Sequence, residues 1–535
     1  MRHLLPRIVL LLSALLSGLL LAAHGPTAAR ASAAWATKVD ESLLQATADA
    51  AAAEFLIVLN TQADLSGAAA LRGKTARGEY VYQTLTAVAS RTQAPVRAIL
   101  DAHDATYRSY WIHNMIWVSG DRELVRLMAS RPDVSHVYAN EWQSIDLPKP
   151  TTPSVALRDL SPVLWNIALT NAPDLWAKDY YGQGVVIGGQ DTGYEWQHPA
   201  IMTKYRGWDG QNANHDYNWH DAIHAEDPNS PAPNPCGLST AAPCDDNGHG
   251  THTMGTMVGE MPDSQTGIDN AKWIGMAPGA KWIGCRNMES DKGSPVTYAE
   301  CYEWFIAPYP YGGDSFTDGD PSKAPHAINN SWSCPTSEGC TSVDILREVV
   351  EAVTAAGIVT VHSAGNSGST CGSVSTPSAI YDASLTVGAT YRDDDIASFS
   401  SRGPVTADGS GRLKPDIVAP GVSIYSSYRN GQYETLSGTS MAGPHVAGLV
   451  ALLISADPDL AGQVEEIERI IVQSGHHLLT RQGCGDDTPT SVPNNVYGWG
   501  RIDALTALSL VNARDYEFQL LLPGLFDLAD LIPTR

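Results

Sequence analysis

The first apolar run, IVLLLSALLSGLLLAA, lies between the basic MRHLLPR and the small-residue stretch AARASAA. A charged head, a short apolar body and a small-residue end predict an export signal over 1–33, cut after Ala33. The run falls short of the roughly 20 residues that a spanning helix needs. No later stretch is long and apolar enough to span, so no membrane span is expected once the signal is removed. YEFQLLLPGLFDLA at 516–529, broken by Gln519, Pro523 and Asp527, reads as a docked or interfacial piece of a C-terminal tail over 513–535.

After an Ala-rich linker (34–53) the pattern alternates. FLIVLN reads as a strand, VRAILDAH as a helix, WIHNMIWVSG as a strand, DRELVRLMASRPDV as an amphipathic helix and SHVYANEW as a strand. That order predicts a small α+β sandwich over 54–146, closed by the proline-rich linker LPKPTTPS within 147–165. Beyond it, GVVIGGQ, HAINNSWS, GIVTVHSAGN, LTVGAT and VSIYSS read as strands, and ILREVVEAVTAAG and HVAGLVALLISA as helices. Alternation of this kind predicts an α/β unit over 166–512 with a parallel central sheet, whose chemistry sits at the carboxyl ends of the strands.

Composition changes the picture in three places. Forty-seven glycines and 33 prolines in 535 residues describe a loop-rich globular chain rather than a helix bundle. A net charge of -24 excludes a nucleic-acid partner, because phosphate binding needs a surplus of Lys and Arg. All eight cysteines follow the proline-rich linker, and in an exported chain they predict disulfides. Cys236 with Cys244 and Cys334 with Cys340 are the close pairs suited to clipping single loops, among 105 connectivities. No CxxC pair is present to start a thiolate zinc site. His220 and His224 have a zinc-compatible spacing, but they fall in a long polar insertion that reads as solvated loop, so no metal is assigned.

The chemistry-bearing residues stand just after apolar runs. Asp191 follows GVVIGGQ in DTG, His249 sits between glycines in GHGTH, and Ser440 sits in GTSMA before a helix. A serine hydroxyl becomes a nucleophile when an imidazole takes its proton and a carboxylate orients that imidazole. Taken singly, Ser440 is a helix cap, Asp191 a turn former and Asn366 a strand-end turn residue. As a set, in the order Asp, His, Ser, they resemble the subtilisin-like serine proteases of the peptidase S8 family, whose chain order is an established pattern. A GxSxG esterase elbow fits poorly, since Ala442 occupies its second glycine position.

The resemblance covers about residues 170–510 and includes GMAPGAKW, SFSSRGP, KPDIVAPG and YGWGRIDA. The long insertion before HGTH and the CRNM stretch match bacillopeptidase F-like members. It implies a subtilisin-like three-layer fold. It also implies Asp191 as orienter, His249 as general base, Ser440 as nucleophile and Asn366 as oxyanion donor. Ser331, Trp332 and Ser333 would pair with extended substrate, with Ser333 replacing the usual glycine; His252 and His445 would be structural. The small domain would be a ferredoxin-like, inhibitor I9-type prodomain that occupies the active site until it is cut off. The expected protein is a secreted, monomeric, self-processing endopeptidase acting on peptides or unfolded proteins. It needs no cofactor for chemistry, and structural calcium is expected without assigned ligands. The alternative is an inactive extracellular binding protein on the same fold.

Overall fold

The computed structural model describes residues 34–48, 51–151, 162–227, 233–262, 273–332 and 342–520. The signal, Ser333, the Cys334 and Cys340 pair and residues 521–535 of the tail lie outside them. The chain divides into two compact units, one drawn from residues up to 62 with 87–141, the other from 63–86 with 142 onward.

The smaller unit is a four-stranded antiparallel sheet of β1 (Ala53–Leu59), β2 (Thr106–Tyr110), β3 (Met115–Gly120) and β4 (Val134–Ala139), in the order β2-β3-β1-β4. Part of α1 (Lys74–Ala102) and all of α2 (Arg122–Ala129) complete a strand, helix, strand, strand, helix, strand order, the ferredoxin-like arrangement. Alternate residues of β1, Phe55, Ile57 and Leu59, pack with Val96, Leu100, Val125 and Met128 in its core. One expectation fails here. WIHNMIWVSG is not a single strand: its first half is a buried turn with Asn114 at φ 41°, and the polar TYRSY before it supplies β2.

In the larger unit the strands are β5 (Gln143–Ser144), β6 (Val186–Asp191), β7 (Trp219–Asp221), β8 (Lys281–Arg286), β9 (Met288–Glu289), β10 (Lys292–Gly293) and β11 (Ala327–Asn330). They continue with β12 (Val359–Ser363), β13 (Leu385–Thr390), β14 (Ile417–Pro420), β15 (Ile424–Tyr428) and β16 (Gln432–Leu436). The central sheet runs β14-β13-β12-β11-β6-β8-β7, with every neighbouring pair parallel. From β6 the chain builds β7 and β8 on one side, then β11 to β14 on the other, so the topological switch lies between β6 and β11. VSIYSS is a strand but not of this sheet. It forms a hairpin, β15 with β16, whose turn residues Asn430 and Gly431 both have positive φ, the Asn-Gly hairpin signal. The sheet places are taken instead by KWIGCR and IVAP.

The two glycines of β6 reveal the layers. A Cβ on Gly188 would lie 2.8 Å from Phe305 of α4 (Pro295–Ile306), and one on Gly189 would lie 2.3 Å from the Tyr194 hydroxyl and 3.2 Å from Met254 of α3 (His249–Val258). Adjacent strand residues face opposite sides, so helices cover both faces and the strands are buried throughout. α4 packs on α5 (Arg347–Ala355), while α6 (Thr439–Ala456) crosses β6 and β11 to β14 beside α3. Contrary to the sequence expectation, α6 is long and apolar enough to cross a bilayer. It is apolar all round because the core surrounds it. Cys236–Cys244 is bonded as expected, and Cys285–Cys301 and Cys371–Cys484 are bonded as well.

Candidate active site

Asp191 ends β6 and is fully buried. Its Oδ1 accepts from the Thr192 N–H at 2.8 Å and lies 2.7 Å from His249 Nδ1. His249 is the first residue of α3, and the glycines beside it are there for different reasons. Gly248 adopts φ 107°, which an L side chain rarely takes. A Cβ on Gly250 would fall 2.1 Å from the Gly193 carbonyl oxygen and 3.0 Å from Asp191 Cβ, so only glycine lets the helix approach the carboxylate this closely. The far nitrogen of the ring, His249 Nε2, is buried and makes no hydrogen bond to a described residue.

Ser440 is the second residue of α6. The N-cap is Gly438, and the Ser440 hydroxyl caps nothing: it donates to the Ser331 carbonyl at 3.1 Å, while the Ser331 hydroxyl donates to the Ser440 carbonyl at 3.0 Å. Gly438 is extended, and its glycine is required for space rather than for φ. A Cβ there would lie 2.7 Å from Pro148 Cγ and 3.5 Å from Asn366 Nδ2. Asn366 is oriented by its neighbour: its Oδ1 accepts from the Thr439 N–H at 2.9 Å and the Thr439 hydroxyl at 3.0 Å, which leaves the NH₂ as a donor toward the turn before Ser440. The start of a long helix adds partial positive charge at the same point.

β11 leads into Ser331 and Trp332. The Trp332 ring is buried and stacks on Tyr298 of α4 at 4.0 Å and 5°, so the ring is committed to packing. Asn329 is buried too and donates to the Ser331 hydroxyl at 2.7 Å, which leaves its sequon no room for a glycan. Ser333 lies outside the described residues. His252 lies 3.0 Å from the Ile424 carbonyl and His445 2.9 Å from that of Met441; burial lowers their pKa values to about 3 and about 4, so both are neutral packing groups.

Sequence reasoning missed Asp245. Its Oδ1 accepts from the Thr192 hydroxyl (2.8 Å) and the Gly248 N–H (2.7 Å), and its Oδ2 from the Thr251 N–H (2.9 Å) and hydroxyl (2.6 Å). It thereby ties the start of α3 to the residue after Asp191. The readable signal was an acidic residue just before a helix start, where N–H groups are unsatisfied. The insertion is also not the solvated loop expected: His220 is on β7, and both it and His224 are half-buried against Glu300 of α4.

The linker residues of the larger unit run through this region. β5 pairs antiparallel with β10, the Ile145 N–H donates to the Asp291 carbonyl at 2.8 Å, and the Thr151 N–H donates to the Thr435 carbonyl at 3.0 Å. Between them Pro148 lies over Gly438, beside the turn that presents Ser440.

Comparison with known proteins places these residues in context. The profile of the subtilase family (peptidase S8) matches residues 182–500. The chain is 37% identical to bacillopeptidase F of Bacillus subtilis (strain 168) over 418 residues, which are 75% of this chain and 26% of that protein. It is 32% identical to serine protease AprX of the same strain over 285 residues, 49% of this chain and 58% of the relative. Subtilisin DY of Bacillus licheniformis is 32% identical over 302 residues, which are 87% of its length. The chain thus spans about a quarter of bacillopeptidase F and little more than half of AprX. A match that covers more than half of the chain, and contains Asp191, His249, Asn366 and Ser440 between its ends, makes this protein a member of the subtilase family.

Proposed function

We propose that the protein is an exported serine endopeptidase, made as a self-processing proenzyme, in which Asp191, His249 and Ser440 carry the chemistry. The observation that carries this reading is the state of His249: Nδ1 is held by Asp191, while the buried Nε2 has no hydrogen-bond partner among the described residues. Such an imidazole is fixed in the tautomer that accepts a proton at Nε2. The Ser440 hydroxyl leaves the Ser331 carbonyl, gives its proton to Nε2, and Oγ attacks the peptide carbonyl. The Asn366 NH₂ and the Ser440 N–H donate to the oxygen as it becomes an oxyanion. His249 then returns the proton to the leaving amine, and water repeats the sequence on the acyl-enzyme.

Ser331, Trp332 and Ser333 pair their backbone with an extended peptide, which supplies affinity without strict sequence preference and suits peptides or unfolded proteins. Residues 54–146 act as prodomain and intramolecular inhibitor, and maturation cuts within 147–165; support comes from Pro148 lying beside the turn before Ser440. Residues 166–512 form the monomeric catalytic domain. Calcium takes no part in these steps. Among the described residues the cluster with metal-ligand spacing is His220, His224 and Glu300, and two imidazoles do not suit a cation that prefers oxygen.

The test is the intact mass of secreted wild-type protein beside Ser440→Ala, each treated with a fluorophosphonate probe. Loss of the small domain and labelling in the wild type alone are expected. A folded wild type that keeps residues 54–146 and refuses the probe overturns the reading in favour of a binding protein.

A further inference from the structure

Away from Ser440, three side chains from separate parts of the larger unit converge. His220 comes from the edge strand β7, His224 from the loop after it, and Glu300 from the middle of α4. Both Nε2 atoms lie against the same carboxylate oxygen, Glu300 Oε1, at 2.8 Å and 2.6 Å. One ligand atom from each residue falls within 4.8 Å of the others. Zinc bonds to nitrogen and oxygen are about 2.0–2.2 Å, which puts ligand atoms of a tetrahedral site about 3.2–3.6 Å apart, so one ion seats here after sub-ångström shifts.

The surroundings behave as supports for ligands rather than as a solvated face. His224 Nδ1 is 2.7 Å from the Ser239 hydroxyl, which turns Nε2 toward Glu300. His220 is stacked on Trp304 at 5.7 Å and 16°, with Tyr309 at 5.3 Å on another side, so its ring plane is set by packing. Glu300 is buried, while the histidine side chains are 14% and 22% exposed, leaving the site a path to solvent. Neighbours that fix the ligand rings, as Ser239, Trp304 and Tyr309 do here, are what a metal centre requires beyond the ligands themselves.

We infer that His220, His224 and Glu300 form a site for one divalent zinc-class ion, with a water completing four-coordination. Two imidazole nitrogens and one carboxylate suit zinc or its borderline neighbours, not calcium or magnesium. The ion ties the insertion over 215–247, through β7 and its following loop, to α4. That position makes it a structural clamp, since Ser440 and His249 contribute nothing to it.

The test uses the full chain, untagged and carrying Ser440→Ala to prevent self-digestion, stripped with chelator and reloaded with zinc chloride. Metal content by mass spectrometry is expected at one zinc per chain. Competition with a chromophoric chelator should show affinity falling at least 100-fold in His220→Ala, His224→Ala and Glu300→Gln. Ser239→Ala, which leaves all three ligands in place, should weaken binding about 10–100-fold. Cobalt chloride offers a readout that needs no ligand variant: the visible bands of four-coordinate cobalt are expected in the parent chain. Zinc content no higher than in His220→Ala, or a cobalt spectrum identical to the free aquo ion, overturns the inference and leaves a hydrogen-bonded His–Glu–His network.

Discussion

At the scale of single residues, the site depends on which atom of each polar group is already engaged. Asn366 uses its oxygen on Thr439, so its orientation does not rest on substrate. Asn366→Asp separates the two roles: a carboxylate still accepts from Thr439 but presents an oxygen where the donor was. The expected result is an unchanged melting temperature and a kcat lower by about 10²–10³, the size of loss seen when such a donor is removed from a subtilisin. A kcat within twofold of wild type would remove Asn366 from the oxyanion hole. Gly250→Ala tests geometry alone. Its new methyl must displace the Gly193 carbonyl or move His249 from Asp191, and a misplacement of about 1 Å costs about 10²-fold in rate. Steady-state kinetics should place that loss in kcat, with KM little changed.

Among the elements, α7 (Val464–Gln473) carries a half-buried acid, Glu468, that sets a pH dependence. Glu468 Oε1 is buried and makes no hydrogen bond to a described residue; burial and the nearby Asp416 carboxylate raise its pKa to about 8, against the pull of Lys414. Folding therefore binds a proton that the unfolded chain, with a glutamate pKa of about 4.3, releases. The stability this group contributes is complete below pH about 4.3 and is lost as pH rises toward 8. Glu468→Gln should raise the melting temperature by at least about 2 °C at pH 9 and leave it unchanged at pH 4, read by calorimetry on the Ser440→Ala chain. Equal shifts at both pH values would exclude this account. The same scale shows what the sequence made legible. β6, β11, β12 and β13 are buried on both faces and appear as apolar runs, whereas β2 is the polar TYRSY and β14 is four residues ending in proline. The Asp, His and Ser motifs are local in sequence and were readable. Asp245 left only an acidic residue before a helix start, which marks a cap and not its tie to Thr192, and Glu300 meets His224 across 76 residues, so it left no local pattern.

For the whole molecule, stability has to withstand the activity proposed for it, because any chain that opens becomes a substrate for its neighbours. Operational lifetime is then set by opening rather than by the native contacts around Ser440. Cys371–Cys484 bears on that most directly: it closes a sequence separation of 113 residues that contains β13, β14, the β15–β16 hairpin and α6 with Ser440. In the chain-entropy model, a closed loop of about 100 residues stabilises the folded state by about 4.7 kcal/mol, against about 3 kcal/mol for a 15-residue loop such as the one Cys285–Cys301 closes. Replacing both cysteines of the long bridge by serine should therefore lower the urea midpoint of the Ser440→Ala chain more than the same change at Cys285 and Cys301. In the active enzyme the long-bridge variant should also shorten the autolysis half-life, with peptide kinetics unchanged at early times. If the urea midpoint falls equally for the two bridges, the stabilisation comes from local native packing and not from the length of chain enclosed.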